Sequence, residues 1–241
     1  MLGVMTEHVI IAPHLNGPAE SANGGVACAE VALLLGGEAE VTLKLPPPLG
    51  VPIAVTRIND GVELRNTAGE VVAVGRKLAL SLEVPPAIGY ELASEAATRF
   101  AGHREHAFPT CFSCGPGRDP NEALCIHPGP IVAGEKQPVA ANWLVRPHLA
   151  DPTRPSHAHL RYLGGAIDCA GAWAIMPEHG HVLLGRMHLA LKDAPRIGER
   201  CVVIGWAIGE EGRKHFSGTV AYGEDGRLLA KSRQTWIRVP H

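Results

Sequence analysis

The feature that most constrains this chain is an internal repeat. Residues 68–80, A-G-E-V-V-A-V-G-R-K-L-A-L, match residues 225–237, D-G-R-L-L-A-K-S-R-Q-T-W-I, at an offset of 157. Gly69 meets Gly226, Ala73 meets Ala230 and Arg76 meets Arg233. Upstream, 41–50 matches 189–198 at an offset of 148, with Lys44, Pro47 and Gly50 on Lys192, Pro195 and Gly198. Further upstream, A-N-G-G-V-A-C-A (22–29) matches Y-L-G-G-A-I-D-C (162–169) at an offset of 140. The blocks keep their order in both halves, so a duplication is the economical reading. It predicts one structural unit built twice.

Each unit has a readable interior. Residues 22–36 and 160–176 are apolar on nearly all sides and free of proline, which predicts two buried helices. Val41, Leu43 and Leu45 then alternate with polar residues, as do Met187, Leu189 and Leu191, the pattern of a half-buried strand. Further strands are predicted over 51–58, 62–66 and 70–82, and over 200–208, 213–222 and 227–239. Hairpin turns N-D-G (59–61), A-G (68–69), G-E-E-G (209–212) and E-D-G (224–226) separate them. A strand before each helix is expected, at 7–13 and around 123–143. Each copy thus reads as a helix followed by an antiparallel meander, an α+β unit. The boundaries fall at 1–83 for the first repeat and 123–241 for the second. A proline-punctuated linker, 84–122, carries one helix near 90–101.

Composition excludes several functions. The formal charge of −2 gives no global attraction for nucleic acid or an anionic membrane. No apolar run is long enough to span a bilayer. The start, MLGVMTEHVI, lacks the features of a signal peptide. The expected setting is therefore the cytoplasm, with the six cysteines as free thiols. A homo-oligomer is compatible with the chain.

Asp168 is the most informative single residue. It is the one charge between Leu163 and Met176, and a lone carboxylate in a buried helix is costly unless it is paired or does chemistry. The structural alternative is a bond to a backbone N–H or to an arginine such as Arg161 or Arg186. Gln234 shares the less charged face of the last strand with Leu228, Ala230, Ser232 and Trp236. An inward amide there wants partners for both ends, and one partner is a water held against Asp168. S-A-N-G-G (21–25) opens the first helix. Ser21 or Asn23 caps it, and Gly24 and Gly25 leave bare backbone N–H groups where a developing oxyanion can sit. A simple cap with close packing is the alternative.

Two segments resemble the acyl-CoA thioesterase II family, whose chains form a double hotdog. L-G-G-A-I-D (163–168) is similar to its central-helix L-G-x-A-x-D. L-L-A-K-S-R-Q-T-W-I-R (228–238) is similar to its closing strand, where L-V-A-x-x-x-Q precedes a short apolar stretch and an Arg. The resemblance covers mainly the second half. It implies a buried helix wrapped by a sheet, twice, and hydrolysis of an acyl-CoA or related small-molecule acyl thioester. It implies that Asp168 activates a water and Gln234 positions it. The family also places a Ser or Thr on the strand after the helix. Here V-L-L-G-R-M-H-L (182–189) has neither; Gly185 stands there against the substrate, with His188 as an alternative polar partner. In the first repeat Cys28 falls at the Asp168 position and Lys77 at the Gln234 position, which predicts one working site. Glu30 is the only charge in that first helix. A non-catalytic acyl-ligand binder on the same fold is the second reading, favoured by the missing hydroxyl. A hydratase is a third, and lacks the helix histidine it needs.

Cys111-x-x-Cys114, with Cys125 and His127, offers four zinc-type ligands, but the C-x-H spacing is poor for a structural site. The glycines and prolines that follow favour a structural turn over a redox motif. No cofactor and no metal is assigned.

Overall fold

The computed structural model describes residues 7–179 and 181–239. The first half supplies β1 (His8–Val9), α1 (Gly24–Leu34), β2 (Glu38–Leu43), β3 (Ile53–Ile58), β4 (Gly61–Arg65) and β5 (Val71–Lys77). After α2 (Tyr90–Ala97) come β6 (Gly129–Pro130), β7 (Val139–Leu144), and a small ribbon of β8 (Ala150–Asp151) and β9 (Arg154–Ala158). The chain then enters α3 (Arg161–His179), followed by β10 (Val182–Leu191), β11 (Arg200–Glu211), β12 (Lys214–Tyr222) and β13 (Leu228–Arg238).

Eleven strands form one sheet, ordered β1-β3-β4-β5-β2-β10-β13-β12-β11-β7-β6, and its strand pairs are antiparallel. Outward from the β2–β10 junction the two halves run β2-β5-β4-β3-β1 and β10-β13-β12-β11-β7, the same connection pattern. The ladders also carry the sequence offsets. Ala39 pairs with Lys77, and Met187 pairs with Gln234. Met187 lies 148 residues after Ala39, and Gln234 lies 157 after Lys77. The matched glycines behave alike too: Gly50 and Gly198 have φ of 70° and 87°, and Gly69 and Gly226 have 80° and 79°. These turns need a left-handed residue, which is why glycine recurs there.

The concave face of the sheet wraps α1 and α3. Their apolar sides meet Val41, Leu64, Met187, Leu189 and Val203 in one continuous core. Both helices are buried, as their all-round apolar sequences require: α1 is buried from Gly25 to Ala32. The alternation of β7 and β11 places other residues on the opposite face. There Ala140, Val202 and Ile204 meet Ala93 and Ala96 of α2, which covers the outside of the sheet. The linker helix is therefore an outer prop, while the irregular stretch after it returns to the inner face. No helix among the described residues is long and apolar enough to cross a membrane.

Candidate functional site

The site is built where α1 and α3 cross. Asn23 caps α1, its Oδ1 accepting from the Val26 N–H at 3.0 Å. Of the two caps the sequence allows, this is the one formed. The helices touch backbone to backbone at Gly25 and Gly164: a Cβ on either would stand 2.2 Å from the carbonyl oxygen of the other. That approach brings Asp168, one turn after Gly164, onto the first turn of α1. The Gly25 N–H and the Asn23 side chain both interact with its carboxylate.

Asp168 is 4% exposed, and its Oδ1 is buried with no hydrogen-bond partner. Burial pushes its pKa up to about 7; the Gly25 N–H and Asn23 oppose this, and nearby Cys111 adds to it. Neither arginine suggested as a partner pairs with it. Arg161 pairs with Glu30 at 3.0 Å, and Arg186 reaches Thr42 and Glu40. Glu30 is thus half of an ion pair between the two helices, its own side chain buried and that of Arg161 partly exposed.

Asp168 lines a cavity of about 530 Å3, within the usual size range of small-molecule sites. Asn23, Gly24 and Pro47 form one wall; Val182, Leu184 and Trp236 form another. The linker closes the third with His106, Phe108, Cys111 and Cys114, and α3 adds Cys169 and Trp173 beside Asp168. Most of this surface is hydrocarbon, and Asn23 and Asp168 bring polar groups to it at the helix crossing.

The other residues singled out from sequence fall elsewhere. Gln234 faces inward as expected and is fully buried, but it is absent from the cavity wall. Its Oε1 accepts from Ser217 Oγ at 3.0 Å and Trp236 Nε1 at 3.1 Å, and its Nε2 donates to the Ile167 carbonyl at 2.7 Å and to Ser232 Oγ at 3.1 Å. The amide is saturated by protein, so its role differs from the water-holding one expected. It ties the final strand to the α3 residue just before Asp168. Gly185 is the unpaired residue of a bulge in β10, between Leu184 and Arg186, and does not line the cavity. His188 points to the other face, where Nε2 meets the Leu78 carbonyl at 3.0 Å. Gly25 gives its N–H to Asp168, leaving Gly24 as the α1 glycine on the cavity wall.

Gln234→Ala is expected to destabilise the fold. It removes the acceptor of Ser217 Oγ and one of the two acceptors of Trp236 Nε1, and opens a void under α3, together costing about 3 kcal/mol. For a chain of this size the melting temperature should fall by roughly 6–12 °C. A shift under about 2 °C in a thermal melt would show that the amide holds nothing.

One cluster in the cavity wall has no signature in local sequence spacing, a convergence of three thiols. Cys111, Cys114 and Cys169 place their sulfurs within 4.8 Å of one another. His106 Nε2 stands 3.3 Å from Cys114 Sγ. Cys125 and His127, the partners considered from spacing, are not in this group among the described residues. Cys125 faces the Arg118 carbonyl, and His127 stacks on Phe100. The signal was Cys169 following Asp168, which no local spacing rule links to Cys111. All six cysteines are free.

No family model and no curated protein matches the sequence. Solved structures do. The tesB protein of Mycobacterium avium subspecies paratuberculosis is similar over 97% of this chain and 92% of its own, with TM-score 0.61 and 11% identity. A Novosphingobium aromaticivorans protein named as a thioesterase covers 97% and 95%, with TM-score 0.60 and 13% identity. A Lactobacillus plantarum protein named as an oleoyl thioesterase covers both chains fully, with TM-score 0.55 and 9% identity. At these identities the likeness shows the fold. The chain shares their fold, an α+β hotdog.

Proposed function

We propose that this chain is a thioester hydrolase acting on an acyl-CoA or related acyl carrier, built as a double hotdog. The repeats span 1–83 and 123–241, joined by 84–122. The matching strand order and the shared 148 and 157 offsets support that division. One observation carries the functional reading. Asp168 presents a buried carboxyl, with one oxygen unpartnered, on the wall of an apolar cavity at a helix start.

In this reading the acyl chain lies along Val182, Leu184 and Trp236. Asp168 holds a water and takes its proton as the oxygen attacks the thioester carbon. The carbonyl oxygen faces the start of α1, where the Gly24 N–H and the helix end favour negative charge. The thiolate then leaves and is protonated. Gln234 is a positioning residue: by holding the Ile167 carbonyl it fixes the turn that carries Asp168. Ala29 of α1 packs on Gly164 as Asp168 packs on Gly25, so the first repeat offers no second carboxylate at the crossing. Six free thiols suit a reducing compartment, the cytoplasm.

The second reading, a non-catalytic acyl binder, is favoured by β10. Its segment against the cavity, Val182 to Leu184, is hydrocarbon and brings no hydroxyl to Asp168. A panel of acyl-CoAs of graded chain length, with released thiol as readout, separates the readings. Turnover with at least one member is expected. Tight binding without thiol release would establish the binder, and neither binding nor turnover would overturn both.

A further inference from the structure

The cavity wall also carries three thiols, and the hydrolytic reading uses none of them. Cys111 and Cys169 have their sulfurs 3.9 Å apart, and Cys114 lies within 4.8 Å of both. A tetrahedral zinc ion with Zn–S bonds of about 2.3 Å sets its sulfurs roughly 3.8 Å apart. A disulfide needs about 2.05 Å; the present spacing is too long for one and fits ligands around a common centre. Two distant pieces of chain meet here: the C-F-S-C turn supplies two sulfurs, and α3 supplies the third beside Asp168.

The surroundings suit thiolates. The backbone N–H groups of Ser113 and Cys114 point at Cys111 Sγ, and Asn23 Nδ2 donates to it at 3.9 Å. His106 approaches Cys114 Sγ through Nε2. Its Nδ1 accepts the Phe108 N–H at 2.9 Å. A neutral imidazole that accepts at Nδ1 carries its proton on Nε2. The ring therefore gives an N–H to the sulfur and has no lone pair to offer a metal there. Donors of this kind around ligands stabilise the charge of a thiolate site.

We propose that Cys111, Cys114 and Cys169 are the protein ligands of a zinc-class divalent ion, whose fourth position opens to the cavity. Binding displaces the three thiol protons to solvent. The fourth ligand comes from the cavity and is a water or a thiolate; three protein ligands with one open position is an arrangement in which zinc retains reactivity. His106 supports Cys114 from outside the coordination sphere. The proposal does not rest on the hydrolase reading, because it concerns metal content and coordination.

The test uses the full chain. Purified protein without a metal-binding tag is assayed for zinc by mass spectrometry of the elements. The metal-free form is then titrated with cobalt(II), whose absorption reports thiolate ligation and tetrahedral geometry. The expected result is about one zinc per chain and a cobalt spectrum of thiolate-ligated, tetrahedral type. A small thiol added to the cobalt form should shift that spectrum. Cys169→Ser should lose the ion, while Cys125→Ser and His106→Ala should retain it. If Cys169→Ser fails to fold, Cys114→Ser and the wild-type metal content decide. Absence of a stoichiometric ion in wild type, or a disulfide among the three seen in the intact mass, would overturn the site. Loss of the ion in His106→Ala would overturn the open fourth position.

Discussion

Asp168→Asn should lower kcat/KM toward a cleavable acyl-CoA by about a hundred- to ten-thousand-fold, the range lost with a general base. The substitution keeps size and shape. The Asn carbonyl can still accept from the Gly25 N–H, which the carboxylate engages now. Removing a buried charge also relieves a desolvation cost that the fold otherwise bears. The variant should therefore melt at the wild-type temperature or above it while losing turnover. That opposite movement of stability and rate distinguishes chemistry from architecture. A residue kept for packing would show the reverse, a lower melt with activity falling only as the folded fraction falls. Full activity in Asp168→Asn, measured as thiol release, would remove the carboxylate from the reaction.

How much of this was legible depends on what kind of spacing encoded it. The strands were readable because period-two alternation and glycine turns are local, and the same ladder registers recur at 148 and 157. The inward face of β13 followed from the same rule: Ala230, Ser232, Gln234 and Trp236 are all buried. The helix match was off by one. Two adjacent glycines in each helix fit two alignments, and only the packing decides between them. Gly25 meets Asp168 as Gly164 meets Ala29, so Asp168 corresponds to Ala29 and not Cys28. The fate of Gln234 was illegible because several of its partners come from other elements, Ser217 on β12 and the Ile167 carbonyl on α3. Ser217 and Thr219 lie on β12, and a serine or threonine within a strand gives no sign of what it faces across the sheet. The thiol group was hidden for a related reason. A turn and a helix 58 residues apart supply Cys111 and Cys169, and only the folded linker brings them to one wall.

The crossing of the two helices is where sequence, packing and site meet, and Gly164→Ala tests it. In an exposed helix this change should stabilise by about 1 kcal/mol, since alanine is the better helix former. Here the added Cβ would lie 2.2 Å from the Gly25 carbonyl oxygen and 2.5 Å from the Ala29 Cβ. Neither neighbour is the end of a flexible side chain, so relief requires the helices to separate. Both are packed against the sheet through residues with no exposed surface, such as Val26, Val31, Leu163 and Ile167, and cannot move apart without opening voids. The net effect should be a loss of about 3 kcal/mol or more, a fall of roughly 6–12 °C in the melting temperature. Gly209→Ala is the control. That glycine is exposed in β11 with nothing within 4 Å of the new Cβ, and its change should stay within about 0.5 kcal/mol. Separation of α1 from α3 would also draw the Gly25 N–H away from Asp168. Whatever Gly164→Ala protein remains folded should thus lose activity beyond its lost stability. An unchanged melt would show that the crossing has slack, and the glycine doublets would then need another explanation.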